Sequence, residues 1–179
     1  MNYLKNIVNR SRLAAYPLGT ICLAGYAQSK WNQRMAFADG QKKYRCYFDS
    51  AATLNPKFDK RFKMGEDHYL VKDKFICCLD GVGGWIEVLI DSGKMTKQLI
   101  KIIEDVYSSG DYEDLQDLLE KSIKRVTVGG STTFSACALD DADILDDINL
   151  RSCNLGDSGF LLMRPQDGGL VQLHRSKSQ

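Results

Sequence analysis

The stretch Phe75-Ile-Cys-Cys-Leu-Asp80-Gly81-Val-Gly83-Gly84-Trp85 joins an apolar run to one carboxylate and then to three glycines within four positions. Its five consecutive apolar residues follow the turn-like Lys72-Asp73-Lys74 and predict a short buried strand that ends at Asp80. A second apolar run, residues 69–71, predicts the partner strand of a hairpin. Because glycine lets the backbone approach a ligand closely, Asp80 and a nearby carbonyl could bind Mg²⁺ or Mn²⁺. On this stretch alone, a solvated aspartate before a glycine turn is the simpler interpretation.

Length and composition predict one domain with a sizeable core. The chain has 179 residues, of which 44% are hydrophobic and 26% are charged, so it is neither disordered nor fibrous. The formal net charge is +1, and no stripe of lysine and arginine alternates with aromatic residues. A nucleic-acid partner is therefore not expected.

The six cysteines form no Cys-x-x-Cys pair. Neighbouring residues of a strand point to opposite faces, so Cys77 and Cys78 are not expected to share a metal or a disulfide. Free thiols in a reducing compartment are the expected state.

Residues 1–38 contain five basic side chains and no acidic one. This bias, with an apolar face near the start, predicts a mitochondrial targeting segment or a docking arm ahead of a domain at 39–179. A secretory signal is the competing interpretation, because residues 13–27 are largely apolar. Proline and glycine interrupt that run, which is also too short for a membrane span. The sequence predicts no transmembrane segment. Because it starts at Met1, we expect a targeting segment that is not cleaved.

Apolar residues between positions 95 and 126 recur every three or four residues, in two sets separated by Ser108-Ser109-Gly110-Asp111. This spacing predicts two amphipathic helices that pack on the core. The first set is Met95, Leu99, Ile102, Ile103 and Val106, and the second is Tyr112, Leu115, Leu119, Ile123 and Val126.

Short apolar runs bounded by turn residues predict the remaining strands. The acidic run at 140–147 lacks the glycine and terminal glutamate of an EF-hand, so a solvated loop is expected there rather than a calcium site. The predicted strands lie near 44–48, where an edge strand leads into a loop, and at 134–139, 150–155, 160–163 and 170–174, with turns at 156–159 and 165–169.

Four motifs occur in the order seen in metal-dependent (PPM, type 2C) protein phosphatases. They are Gly65-Glu66-Asp67, Leu79-Asp80-Gly81-Val82-Gly83-Gly84-Trp85, Gly129-Gly130-Ser131-Thr132-Thr133 and Asn154-Leu155-Gly156-Asp157-Ser158-Gly159-Phe160-Leu161. Val82 stands where most of that family has histidine. With this valine, Trp85 and His174-Arg175-Ser176, the sequence resembles the branch of the family that contains the mitochondrial matrix phosphatases. The resemblance covers roughly residues 60–179 and corresponds to the N-terminal half of the domain.

The resemblance implies an α+β fold, a partial PPM sandwich of antiparallel sheets with a flanking helix pair and without the C-terminal part. It also implies a site for Mg²⁺ or Mn²⁺, in which a water activated by the metals is the nucleophile and no side chain attacks. The residue matching Asp80 would bridge two ions and the Gly81 carbonyl would bind one of them. The implied outer positions are Glu66 and Asp67 beside the metal waters, Asp157 beside a further ion, and Arg61 as a phosphate ligand. Neither His68 nor His174 matches a required role.

At least two further metal carboxylates of the family come from sequence that follows the matched region. We therefore expect a catalytically degenerate, phosphatase-like protein that serves as an accessory or structural subunit beside other proteins in a mitochondrial assembly. One alternative is an active Ser/Thr phosphatase completed by sequence not present here. The other is a metal- or phosphate-binding regulatory module without catalysis.

Overall fold

The computed structural model describes residues 22–27, 47–56, 65–140 and 149–178. These ranges do not include Arg61, most of residues 1–38 or the acidic run from 141. The strands are β1 (Cys22–Ala27), β2 (Phe48–Thr53), β3 (His68–Lys72), β4 (Phe75–Leu79), β5 (Phe134–Leu139), β6 (Leu150–Leu155), β7 (Leu161–Gln166) and β8 (Gly169–Arg175). The helices are a 3₁₀ helix (Gly83–Val88), α1 (Ser92–Ser109) and α2 (Leu115–Ile123).

The central sheet has four antiparallel strands in the order β3-β4-β5-β6. The predicted hairpin is confirmed, with His68 opposite Leu79 and Lys72 opposite Phe75. All six residues of β5 are buried, as expected for small residues between two neighbouring strands. This sheet, with the helices packed on it, agrees with the expected α+β class.

One face of the sheet forms the core with the two helices. Alternate residues of β4, namely Phe75, Cys77 and Leu79, are fully buried, which is the two-residue period of a strand with one face inward. They pack in one cluster with apolar residues of both helices and of β5. The predicted face of α1 is therefore confirmed as core-forming. In the second predicted set, Leu115 and Leu119 are buried, whereas Ile123 is 44% exposed.

The boundaries of the helices follow from their caps. Asp91 accepts a hydrogen bond from the Gly93 amide at 3.0 Å at the start of α1, and Gly110 ends that helix with φ of 72°. Asp114 accepts from the Asp117 amide at 2.8 Å, so α2 begins at Leu115 although the apolar period starts at Tyr112. Tyr112 still packs against the core, through a ring stack on Tyr107 with centroids 6.0 Å apart.

Two sequence predictions differ from the structure. An edge strand was expected near 44–48, and residues 44–46 lie outside the described residues. The loop expected after it is wrong, because β2 runs from Phe48 to Thr53 and pairs antiparallel with β1. That partner is distant in sequence, and local composition does not indicate the pairing. The glycine loop expected after Asp80 contains the 3₁₀ helix.

The strands β7 and β8 form a two-stranded hairpin. Asp167 and Gly168 both have positive φ, 46° and 84°, which is the geometry of a tight hairpin turn. The predicted turn at 165–169 is therefore narrower than expected, because β7 extends to Gln166. Large apolar residues are exposed on this hairpin, namely Leu161, Met163, Leu170, Val171 and Leu173.

Cys77, Cys78, Cys137 and Cys153 are free thiols, as expected. Cys77 lies in the core cluster and Cys78 lies on the opposite face of β4. Burial raises the pKa of the Cys77 thiol strongly, and it raises the pKa of Cys137 to about 12. These thiols stay protonated near neutral pH and are poor nucleophiles. Within the described residues, no helix is both long enough and apolar enough to cross a membrane.

Candidate metal centre

The open end of the β3–β4 hairpin brings the two predicted acidic motifs together. His68 pairs with Leu79, so the next residues of this register place Asp67 opposite Asp80 and Glu66 opposite Gly81. Gly81 is buried, and a Cβ added there would lie 2.7 Å from the Glu66 carbonyl oxygen and 3.0 Å from the Glu66 Cβ. The backbones of Glu66 and Gly81 are therefore in direct contact.

Two carboxylates at this end face the same thiol. Asp67 is buried, with 8% of its surface exposed, and Asp80 is half-buried. Burial first, and then the charges of Asp80 and Asp67, raise the pKa of the Cys78 thiol to about 11. Like charges on opposite strands repel each other, and a cation between them would relieve that repulsion.

Thr96, on the second turn of α1, holds the Glu66 backbone. Its hydroxyl is fully buried and donates to the Glu66 carbonyl at 2.7 Å. The Nδ1 atom of His68 lies 3.0 Å from the same hydroxyl oxygen. Burial, and then the positive charge of Lys97, lower the pKa of His68. His68 thus contributes to the contact between β3 and α1.

The loop 129–133 holds the Asp80 backbone from the other side. The Thr133 amide donates to the Asp80 carbonyl at 2.9 Å, and the Thr132 hydroxyl donates to the same oxygen at 2.9 Å. The Val82 amide donates to the Ser131 carbonyl at 3.0 Å. The side chain of Trp85 donates to the Ser131 hydroxyl at 2.7 Å. The Gly-Gly-Ser-Thr-Thr motif therefore fixes the path of the chain through Asp80.

Asp157 lies on the turn after β6, at the same end of the sheet. Its neighbour Ser158 has its hydroxyl oxygen 2.6 Å from that of Thr133. Asp157 is exposed, so its carboxylate faces water. The structure thus brings Glu66, Asp67, Asp80 and Gly81 together, and it links the Asp157 turn to them through hydroxyl groups.

The oxygen donors at this end are of the chemical type that binds a divalent metal ion. Carboxylate and carbonyl oxygens are the ligands that Mg²⁺ prefers, and this ion usually keeps several waters and one or two protein carboxylates. Over the described ranges, no three side chains from His, Cys, Asp and Glu gather in an arrangement that could hold a metal. The residues present fit an ion with few protein ligands and water in its other positions.

Sequence reasoning assigned no role to the hydroxyl residues Thr96, Thr133 and Ser158. Thr96 is separated from His68 by 28 positions and lies in an ordinary amphipathic helix, so no sequence signal marks it. Thr133 and Ser158 occur inside the motifs quoted above, but their contact becomes visible only when β5 and β6 pair.

Comparison with known proteins agrees with the motif order. The chain is 37% identical over 128 residues to "Protein phosphatase PTC7 homolog fig" of Drosophila grimshawi, covering 65% of this chain and 39% of that protein. It is 33% identical over 121 residues to "Probable protein phosphatase 2C 80" of Arabidopsis thaliana, covering 64% of this chain and 28% of that protein. No family model matches the chain.

A solved structure supports the fold. The photosystem II phosphatase PBCP aligns with a TM-score of 0.59 and 17% identity, over 89% of this chain and 51% of that chain. The described chain therefore spans about half of a known phosphatase fold, and less than half of the two curated relatives above. Motif order, sequence similarity and fold together show that the chain resembles part of a metal-dependent (PPM, type 2C) protein phosphatase.

Proposed function

We propose that this chain is a phosphatase-like protein that does not turn over phosphoesters by itself and serves as an accessory subunit. The observation that carries the proposal is the arrangement of acids at the hairpin end. Asp80 follows the strand directly, Asp67 is buried opposite it, and Asp157 is exposed on a separate turn. This arrangement supplies oxygen donors for one weakly held ion.

Catalysis in this family depends on charge, because two divalent ions activate a water and neutralise the phosphate oxygens when they are bound. In this chain, Asp80 and the Gly81 carbonyl would be the protein ligands of an ion. Thr96 and the loop 129–133 would orient them. Two ions close together need several anionic ligands to offset their mutual repulsion, and Asp80 is the one direct carboxylate that the matched motifs assign.

An active Mg²⁺- or Mn²⁺-dependent Ser/Thr phosphatase is the second candidate. It is favoured by the identity of 37% with a protein phosphatase and by the opposed pair Asp67 and Asp80. In this case further carboxylates would come from polypeptide outside the described residues.

Activity of the purified 179-residue chain separates the two candidates. We expect hydrolysis of p-nitrophenyl phosphate and of a phosphopeptide, in millimolar Mn²⁺, to be no faster than that of the Asp80→Asn variant. The reason is that a site with one direct carboxylate holds too little positive charge to generate the nucleophile. Robust turnover that Asp80→Asn removes would reject the accessory proposal and support the active phosphatase. Mn²⁺ binding without turnover, lost in Asp80→Asn, would agree with the proposed weak site.

We further propose a mitochondrial location and protein partners. The location is supported by the basic, acid-free composition of residues 1–38. Partners are supported by the five large apolar residues exposed on the β7–β8 hairpin, because clustered exposed apolar residues often mark a protein interaction site. A tagged chain expressed in cells is expected in the mitochondrial fraction, at a native mass above that of one chain. A cytosolic location would reject the first proposal, and the mass of a single chain would reject the second.

A further inference from the structure

We infer that Thr133 and Ser158 form a hydroxyl pair that positions Asp80, with Ser158 acting on Asp80 only through Thr133. The inference deepens the proposed function, on which it rests for the role of Asp80 as a metal ligand. The pair links the strand end at Asp80 to the turn that contains Asp157.

Thr133 contacts both polar groups of the Asp80 backbone. The Asp80 amide donates to the Thr133 hydroxyl at 3.2 Å, and the Thr133 amide donates to the Asp80 carbonyl at 2.9 Å. These two bonds fix the peptide units on each side of the Asp80 Cα. The direction of the Asp80 side chain therefore depends on where Thr133 lies.

The Thr133 hydroxyl is shared between Asp80 and Ser158. A hydroxyl has one hydrogen and two lone pairs, so it can accept from the Asp80 amide and also bond to the Ser158 hydroxyl. That second contact is short, at 2.6 Å. Thr133 is buried, with 7% of its surface exposed, so water does not readily replace a lost partner. Removal of the Ser158 hydroxyl would therefore change how Thr133 holds Asp80.

Gly156 holds the methyl group of Thr133 in place. A Cβ added to Gly156 would lie 2.8 Å from the Thr133 Cγ2 atom, and Gly156 has a φ of 91°. The turn after β6 thus contacts Thr133 twice, with Gly156 against its methyl group and Ser158 against its hydroxyl. Both contacts favour the χ1 rotamer that points the hydroxyl at the Asp80 amide.

Amide hydrogen exchange of the metal-free 179-residue chain, measured per residue by NMR, tests the inference. We expect Ser158→Ala to accelerate exchange of the Asp80 amide about tenfold, and Thr133→Val to accelerate it at least as much, because each weakens the bond that protects this amide. Thr133→Ser keeps the hydroxyl and is expected to retain most of the protection. Core amides of α1 are expected to exchange as in the wild type, since the effect is local.

Ser152→Ala is the matched control, because Ser152 is an exposed serine on β6, the strand that leads into the turn with Ser158. It is expected to leave Asp80 exchange unchanged. The inference is overturned if Ser158→Ala alters only residues 156–159, or if Thr133→Ser loses as much protection as Thr133→Val. Should Thr133→Val fail to fold, Ser158→Ala and Thr133→Ser decide the question.

Calorimetric titration of the same variants with Mn²⁺ tests the proposed function separately. Ser158→Ala is expected to weaken the affinity several-fold, as is typical when a supporting partner of a metal ligand is lost. An affinity unchanged from the wild type would show that the pair does not position Asp80 for metal. Absence of Mn²⁺ binding in the wild type would reject the metal site of the proposed function, while the exchange result would still decide the structural link.

Discussion

Replacing Gly81 by alanine is expected to lower the free energy of unfolding by about 2–3 kcal/mol. The new Cβ would lie 2.7 Å from the Glu66 carbonyl oxygen and 3.2 Å from the Thr96 Cγ2 atom. The first of these neighbours is backbone, which moves only if the open end of the hairpin separates. That movement would also lengthen the hydrogen bond from Thr96 to Glu66, so any Mn²⁺ affinity should fall as well.

Gly84→Ala is the matched control for this substitution. Gly84 lies three positions along the same chain segment, and a Cβ added there meets no atom within 4 Å. We expect its free energy of unfolding to stay within about 0.5 kcal/mol of the wild-type value. Urea denaturation of both variants measures the difference. Equal midpoints for the two variants would contradict the close contact between Glu66 and Gly81.

Leu118→Ala is expected to cost about 3 kcal/mol, within the range for truncating a leucine in a packed core. Leu118 lies on α2, is fully buried and belongs to the cluster formed by the central sheet and both helices. The cost combines the lost burial of the side chain with the cavity that remains. Its size depends on how far α1 and the sheet can close that cavity.

Leu89→Ala removes the same atoms from a side chain that is 91% exposed. We expect its free energy of unfolding to stay within about 0.5 kcal/mol of the wild-type value, since almost no burial is lost. Chemical denaturation followed by circular dichroism compares the pair. A cost for Leu118→Ala as small as that for Leu89→Ala would show that α2 does not pack on the sheet as described.

Much of the fold could be predicted from the sequence because its signals are local. The five consecutive apolar residues Phe75-Ile-Cys-Cys-Leu indicate a buried strand, and the three-to-four spacing from Met95 to Val106 indicates a helix. The same holds for the tight turn after β7, where Asp167 and Gly168 accept positive φ. Boundaries were less accurate, because caps such as Asp114 override the apolar period.

The candidate site could be predicted only as a set of residues. The order of the motifs indicated Glu66, Asp67, Asp80, Gly81 and Asp157, and the structure brings the first four together through the register of one hairpin. Arg61 lies outside the described residues, and its role stays a prediction. The sequence did not predict that Asp67 would be buried or that Thr96 would hold Glu66, because both depend on where α1 packs.

The sequence by itself determined most of the strands and helices after residue 67, and which family the motifs resemble, because propensity and periodicity act over a few neighbouring residues. Only the tertiary structure decided the partner of β2 and the contact between Thr133 and Ser158. Hydroxyl groups 25 positions apart meet only after β5 and β6 have paired in register. The energy of such a contact depends on the exclusion of water, and water is excluded only when distant segments of the chain pack together.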